Sequence, residues 1–194
     1  LIQAVRNRDT KMIEWLLSIP EVDINQVDEK KYRLPPISHA IQINNKQIVR
    51  QLIMHGANVN EPSLNGRNYY NTPLMIASWG GNLELVKILV ESGADVNKRD
   101  LLGWTPLFYC DTVQKVDYLL SIGADINAQD YRGNNLLLHN ILDPVEDRGF
   151  AFAPNIPLGE LLIDRGINVN AQDKKGYTAL MYLVKTPKNM KLIK

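Results

Sequence analysis

The chain has 194 residues, 45% of them hydrophobic and 22% charged, which is the profile of an ordered globular chain and not of a disordered one. Lysine and arginine number 22 against 21 aspartates and glutamates, a net charge of +1, so the strongly basic face of a nucleic-acid binder is not expected. One cysteine, Cys110, cannot form an internal disulfide, and no apolar run approaches the ~18 residues of a membrane span. These features fit a protein of the reducing cytoplasm, with no membrane insertion and no secretory signal. The chain starts at Leu1 inside helical sequence and stops at Lys194 without a terminator, so it reads as a piece of something longer.

The first predicted elements are helices around Ile13, Trp15, Leu16 and Leu17, read as the core of an opening helix pair. A phrase then recurs along the chain. Val22-Asp23-Ile24-Asn25 is a weak copy. His55-Gly56-Ala57-Asn58-Val59-Asn60, Ser92-Gly93-Ala94-Asp95-Val96-Asn97, Ile122-Gly123-Ala124-Asp125-Ile126-Asn127 and Arg165-Gly166-Ile167-Asn168-Val169-Asn170 are fuller ones. The final asparagines are 35, 37, 30 and 43 residues apart. Each phrase leads into a helix start, clearest in Asp100-Leu101-Leu102-Gly103-Trp104-Thr105-Pro106-Leu107, and partial in Asn71-Thr72-Pro73-Leu74 and Gly176-Tyr177-Thr178-Ala179-Leu180.

The pattern follows from local chemistry. Threonine can cap the free N–H groups of a helix, and proline suits the first helical position. Leu74, Ala77, Leu107 and Cys110 in first helices, and Leu85, Val86, Ile88 and Leu89 in a second helix, fall on inward stripes. The glycines stand where a helix ends in a left-handed residue. One helix pair cannot bury its own apolar face, so neighbours must stack.

This series resembles the ankyrin repeat, whose period is ~33 residues. The resemblance implies an all-α repeat solenoid of helix–turn–helix units joined by β-hairpins, one array over 1–194. The units are 1–27 in part, 28–62, 63–99, 100–129, 130–172 with an inserted loop at 143–157, and 173–194 in part. Extra hairpin residues fall around Lys31 to Leu34 and at Arg67-Asn68-Tyr69-Tyr70. The third unit lacks three residues between Cys110 and Val116, which shortens its helix pair. The fourth reads Asn135-Leu136 in place of Thr-Pro and is expected to be distorted. Phe150 and Phe152, in its proline-rich insertion, are expected to pack on the stack or on a partner.

No catalytic constellation emerges. His39, His55 and His139 lack zinc-type spacing, and phosphate-loop and nucleophile-elbow motifs are missing from the sequence. Cys110 takes the place of a small core alanine and is expected to be an inert buried thiol. The expected role is binding of a protein partner by a monomer that is not an enzyme and needs no cofactor or metal. The alternative is the targeting portion of a larger enzyme or secreted effector, which an asparagine-rich composition would suit.

Within the family such stacks bind through hairpin tips and the inner face of the first helices. The resemblance therefore carries the binding role to Tyr69, Tyr70, Arg99, Leu101, Leu102, Trp104, Tyr131, Arg132 and Tyr177 on hairpins, and to Trp79 after a first helix. Arg67, Lys174 and Lys175 share the hairpins. The set is rich in the Trp, Tyr and Arg of binding hot spots, though aromatics at tips also pack on one another. Trp104 and Trp79 stand out as large apolar groups at positions usually exposed. The resemblance also implies that asparagines such as Asn97 and Asn127 can be hydroxylated; the competing role is to hydrogen-bond the hairpin backbone.

Overall fold

The computed structural model describes residues 1–28, 33–64, 70–142 and 156–185. Helices follow one another in antiparallel pairs: α1 (Ile2–Arg6) with α2 (Thr10–Leu17), α3 (Pro36–Gln42) with α4 (Lys46–Met54), and α5 (Pro73–Gly80) with α6 (Leu83–Glu91). A 3-10 turn (Pro106–Tyr109) then precedes α7 (Val113–Ser121), and α8 (Leu136–Ile141) precedes α9 (Ile156–Asp164). The last described helix is α10 (Ala179–Lys185). First members pack on first members, α1 on α3, α3 on α5, and α5 on the 3-10 turn. One continuous core runs through the stack, with Ile13, Ile37, Ile48, Leu74, Leu85, Leu107, Leu119 and Leu138 fully enclosed.

Helix starts are built mainly by asparagine. Asn45, Asn82 and Asn135 accept at Oδ1 from the N–H groups of Ile48, Leu85 and Leu138 at 3.1, 2.9 and 3.0 Å. Asn135 thus does the capping work of the threonine it replaces. Thr72 caps α5 through the Met75 N–H at 3.3 Å, with Pro73 next. Thr105 differs from that expectation, since it makes no side-chain cap and opens only a 3-10 turn. The helices α4, α6, α7 and α9 end by one scheme, with a left-handed glycine, seen at α6. Gly93 has φ of +88°, and the Gly93 and Ala94 N–H groups close on the Val90 and Leu89 carbonyls, both at 3.0 Å.

The missing residues of the third unit are visible as the 3-10 turn, and a lysine fills the space that results. Lys115 is 3% exposed. Its Nζ donates to the carbonyls of Ser78 at 3.0 Å and Gly81 at 2.5 Å and lies 2.7 Å from Asp111 Oδ1. An ammonium thus caps the C-terminal end of α5 in the preceding unit, where the helix dipole favours a cation.

Trp15 corrects one expectation. It is 60% exposed on α2, while Ile13 is enclosed. Two residues turn a helix by about 200°, so both cannot face the core.

Candidate partner interface

The connections between units are hairpins tied less by a ladder than by side chains. Among the described residues one pair of strands forms, β1 (Ser63–Leu64) antiparallel to β2 (Tyr70–Asn71), with Ser63 opposite Asn71. Elsewhere an aspartate organises the turn. Asp100 Oδ1 accepts from the N–H groups of Leu102 and Trp104, both at 2.8 Å, and the Asp100 N–H meets the Trp104 carbonyl at 3.0 Å. Asp130 does the same with Arg132 and Asn134, and Asp173 with Lys175 and Tyr177.

The second carboxylate oxygen is held from inside the stack. The Tyr109 hydroxyl donates to Asp100 Oδ2 at 2.5 Å, and the Tyr182 hydroxyl to Asp173 Oδ2 at 2.5 Å. The latter bond pushes the Tyr182 hydroxyl up to about 12, with burial adding to it. Burial works to raise the Asp173 carboxyl, but the Tyr182 and backbone hydrogen bonds win and hold it below its ordinary value. At the first hairpin His39 takes this position, its Nε2 3.1 Å from Asp28 Oδ2 and 3.2 Å from Arg6 Nη2. Burial, then the Arg6 charge, lower the His39 pKa against the opposing pull of Asp28.

Neighbouring hairpins are joined as well. The Tyr131 N–H donates to the Leu102 carbonyl at 2.9 Å and the Lys174 N–H to the Arg132 carbonyl at 2.8 Å. Arg99 Nη1 donates to the carbonyls of Gly103 at 2.9 Å and Gln129 at 2.5 Å, bridging two hairpins. At the opposite end of the hairpins the asparagines form a second ladder. Asn97 accepts from the Asp125 N–H at 2.8 Å and donates to the Gly123 carbonyl at 3.1 Å, and Asn60 reaches Asp95 and Gly93 in the same way. The Asn127 side chain likewise accepts from the Asn168 N–H at 2.8 Å. The bonds expected to hold the asparagine's own hairpin therefore run to the next unit.

This scaffold presents Leu101 at 57% and Tyr131 at 58% exposure, with Tyr70 at 43% and Trp79 at 37%. Arg99 and Arg132 are exposed, whereas Leu102 and Tyr177 are half-buried, Tyr177 lying 5.3 Å from the Tyr182 ring. Trp104 departs from expectation. It is 7% exposed, with its ring centroid 5.8 Å from those of Phe108 and Tyr109 and 4.5 Å from that of His139. Its Nε1 donates to Asp130 Oδ2 at 3.4 Å. The tryptophan at the expected tip is therefore a wedge between units, not an exposed anchor. Tyr69, Arg67, Phe150 and Phe152 lie outside the described residues. Lys98, exposed beside Arg99, was missed by the sequence reading; its place just after the recurring asparagine was the available signal.

Other chemistry is sparse. Burial pushes the Cys110 thiol up to about 12, the Lys115 charge notwithstanding, so thiolate is scarce at neutral pH. Its Sγ lies 3.6 Å from the Pro106 carbonyl oxygen. An open cleft of about 680 Å³ lies beside α1, lined by Leu1, Leu16, Glu21, Asp23 and Pro36 among others. Among the described residues no group of three or more His, Cys, Asp or Glu could hold a metal ion, and no helix is long and apolar enough to cross a membrane.

Comparison with known proteins completes the picture. A family model described as ankyrin repeats (3 copies) matches residues 1–100 and 71–130. The chain is 40% identical over 113 residues to Ankyrin repeat and SAM domain-containing protein 6 of Rattus norvegicus. That match takes in 56% of this chain and 12% of the relative's length.

Proposed function

The chain belongs to the ankyrin-repeat family, whose members are generally protein–protein interaction modules, and we propose that it binds a partner protein through the hairpin-tip row of its third, fourth and last described units. One observation carries the reading. Leu101 and Tyr131 are large apolar side chains more than half exposed on turns whose backbone groups are tied down by Asp100, Asp130 and the neighbouring hairpins. A surface held in place before contact loses little conformational entropy on binding, and an exposed tyrosine such as Tyr131 is a usual anchor on such a surface, with Leu101 adding apolar contact area. Tyr70, Trp79 and Arg132 extend it, and Arg99 joins two of the turns.

The test is photo-crosslinking in cell extract. A photoreactive side chain replaces Leu101 or Tyr131, and in a control Met54, which is 82% exposed at the end of a second helix. A discrete polypeptide adduct from the tip positions and not from Met54 is the expected result. Equal labelling at all three positions would refute the tip row as the interface.

A further inference from the structure

We infer that the tip row recognises an acidic protein segment with apolar side chains interspersed. The inference rests on the proposed interface and specifies what that interface takes. The chain as a whole is almost neutral, at +1. The tip row is not. Its aspartates are turned inward: Asp100 is 4% and Asp130 7% exposed, each accepting two backbone N–H bonds at one oxygen and a side-chain bond at the other. Asp173 is half-buried and bonded in the same way, to Lys175, Tyr177 and Tyr182.

The cations of the same turns, Lys98, Arg99, Arg132, Lys174 and Lys175, are all exposed, Arg99 while its Nη1 also bridges the Gly103 and Gln129 carbonyls. The exposed acids Asp95 and Asp125 stand at the opposite ends of their hairpins, near the glycines that end α6 and α7, where each accepts from a ladder asparagine's N–H. Folding therefore separates charges that the sequence mixes. It leaves a ridge on which exposed basic groups flank Leu101 and Tyr131.

The ridge is continuous across three turns, through the Tyr131–Leu102 and Lys174–Arg132 backbone hydrogen bonds. A ridge of cations around apolar side chains is complementary to carboxylates spaced by apolar groups. Opposed potentials of this kind set specificity and association rate. A nucleic acid would use the cations but would also meet the exposed apolar groups of Leu101 and Tyr131, and the near-neutral chain lacks the broad basic field that nucleic-acid binding needs.

The test uses fluorescence anisotropy with three labelled probes. They are a short peptide of alternating aspartate and leucine, its counterpart with asparagine for aspartate, and a single-stranded oligonucleotide of equal length. Each is titrated with the wild-type chain, with Arg132→Glu/Lys174→Glu/Lys175→Glu, and with Leu101→Ala/Tyr131→Ala. The substituted side chains are all exposed on the turns, and unchanged thermal midpoints confirm folding.

The acidic peptide is expected to bind about tenfold or more tightly than the asparagine peptide at low salt, and to weaken as the screening length falls from ~30 to ~8 Å. The charge-reversed variant should lose about tenfold or more for the acidic peptide alone. Equal binding of the two peptides, no binding of either, or an unaffected charge-reversed variant overturns the acidic class. Tighter binding of the oligonucleotide overturns it in favour of nucleic acid. Equal binding of both peptides, weakened only by Leu101→Ala/Tyr131→Ala, would overturn the acidic class while leaving protein recognition by the row intact.

Discussion

The Trp104 indole meets the His139 imidazole edge-on, with ring centroids 4.5 Å apart, across the boundary between the third and fourth units. The contact places Trp104 in the adhesive between units. Trp104→Ala should therefore destabilise the fold by ~3–5 kcal/mol, the scale for truncating a buried aromatic residue. Urea denaturation measures the loss. The folded fraction of the variant should keep its affinity for a tip-binding partner, and a stable variant with weakened binding would return Trp104 to the interface.

Lys115 joins two units by a different means. Its ammonium satisfies carbonyls at the end of α5 that would otherwise face the apolar interior. Lys115→Met keeps the aliphatic stem and removes the donor. It should cost ~1–3 kcal/mol, the range for leaving buried acceptors unsatisfied. The same denaturation experiment reads it, and hydrogen exchange at the α5–α6 turn should quicken. An unchanged midpoint would mean that water replaces the ammonium at no cost.

The Arg6–Asp28–His39 cluster makes stability depend on pH. The folded state depresses the His39 pKa, through burial first and Arg6 second, below the ordinary histidine value of 6.5. A histidine held neutral binds fewer protons folded than unfolded. Its contribution is therefore fully present above pH ~6.5 and is lost as pH falls through the depressed folded value. Thermal melts from pH 7.5 downward should show a decline that is shallower in His39→Gln. A profile identical in the two proteins would separate His39 from the effect.

Gly93 tests the helix-ending scheme. Its φ of +88° disfavours any side chain, although a Cβ there would meet no atom within 4 Å. Gly93→Val should cost ~1 kcal/mol or more from backbone strain alone. No shift in the denaturation midpoint would mean that the backbone relaxes freely at this cap.

Much of this architecture was legible in the sequence because it depends on residues with single, local roles. The recurring glycines mark helix ends by their conformational freedom, and the stripes of Leu74, Leu85 and Leu107 mark core faces by period. Two kinds of residue were not legible. Trp104 follows exposed Leu101 and half-buried Leu102 along one turn, and only the path set by Asp100 decides that the tryptophan points in. Lys115 looks like a surface lysine until the shortened first helix leaves the preceding unit's carbonyls within reach of Nζ. The charge separation of the tip row is hidden for a similar reason. Aspartate and lysine stand side by side in Asp173-Lys174-Lys175, and hydrogen bonding to Tyr182 and Tyr177 decides which of them faces solvent.

The measurement that tests the central claim most directly compares affinity and stability in one variant. The polypeptide trapped at the tips is titrated against the wild-type chain and against Leu101→Ala/Tyr131→Ala. If the tip row is the interface, binding weakens by ~2 kcal/mol or more, the scale of an anchor residue. The unfolding midpoint stays within the scatter of repeat measurements, because both side chains are more than half exposed. Undiminished affinity in a fully folded variant would contradict the account.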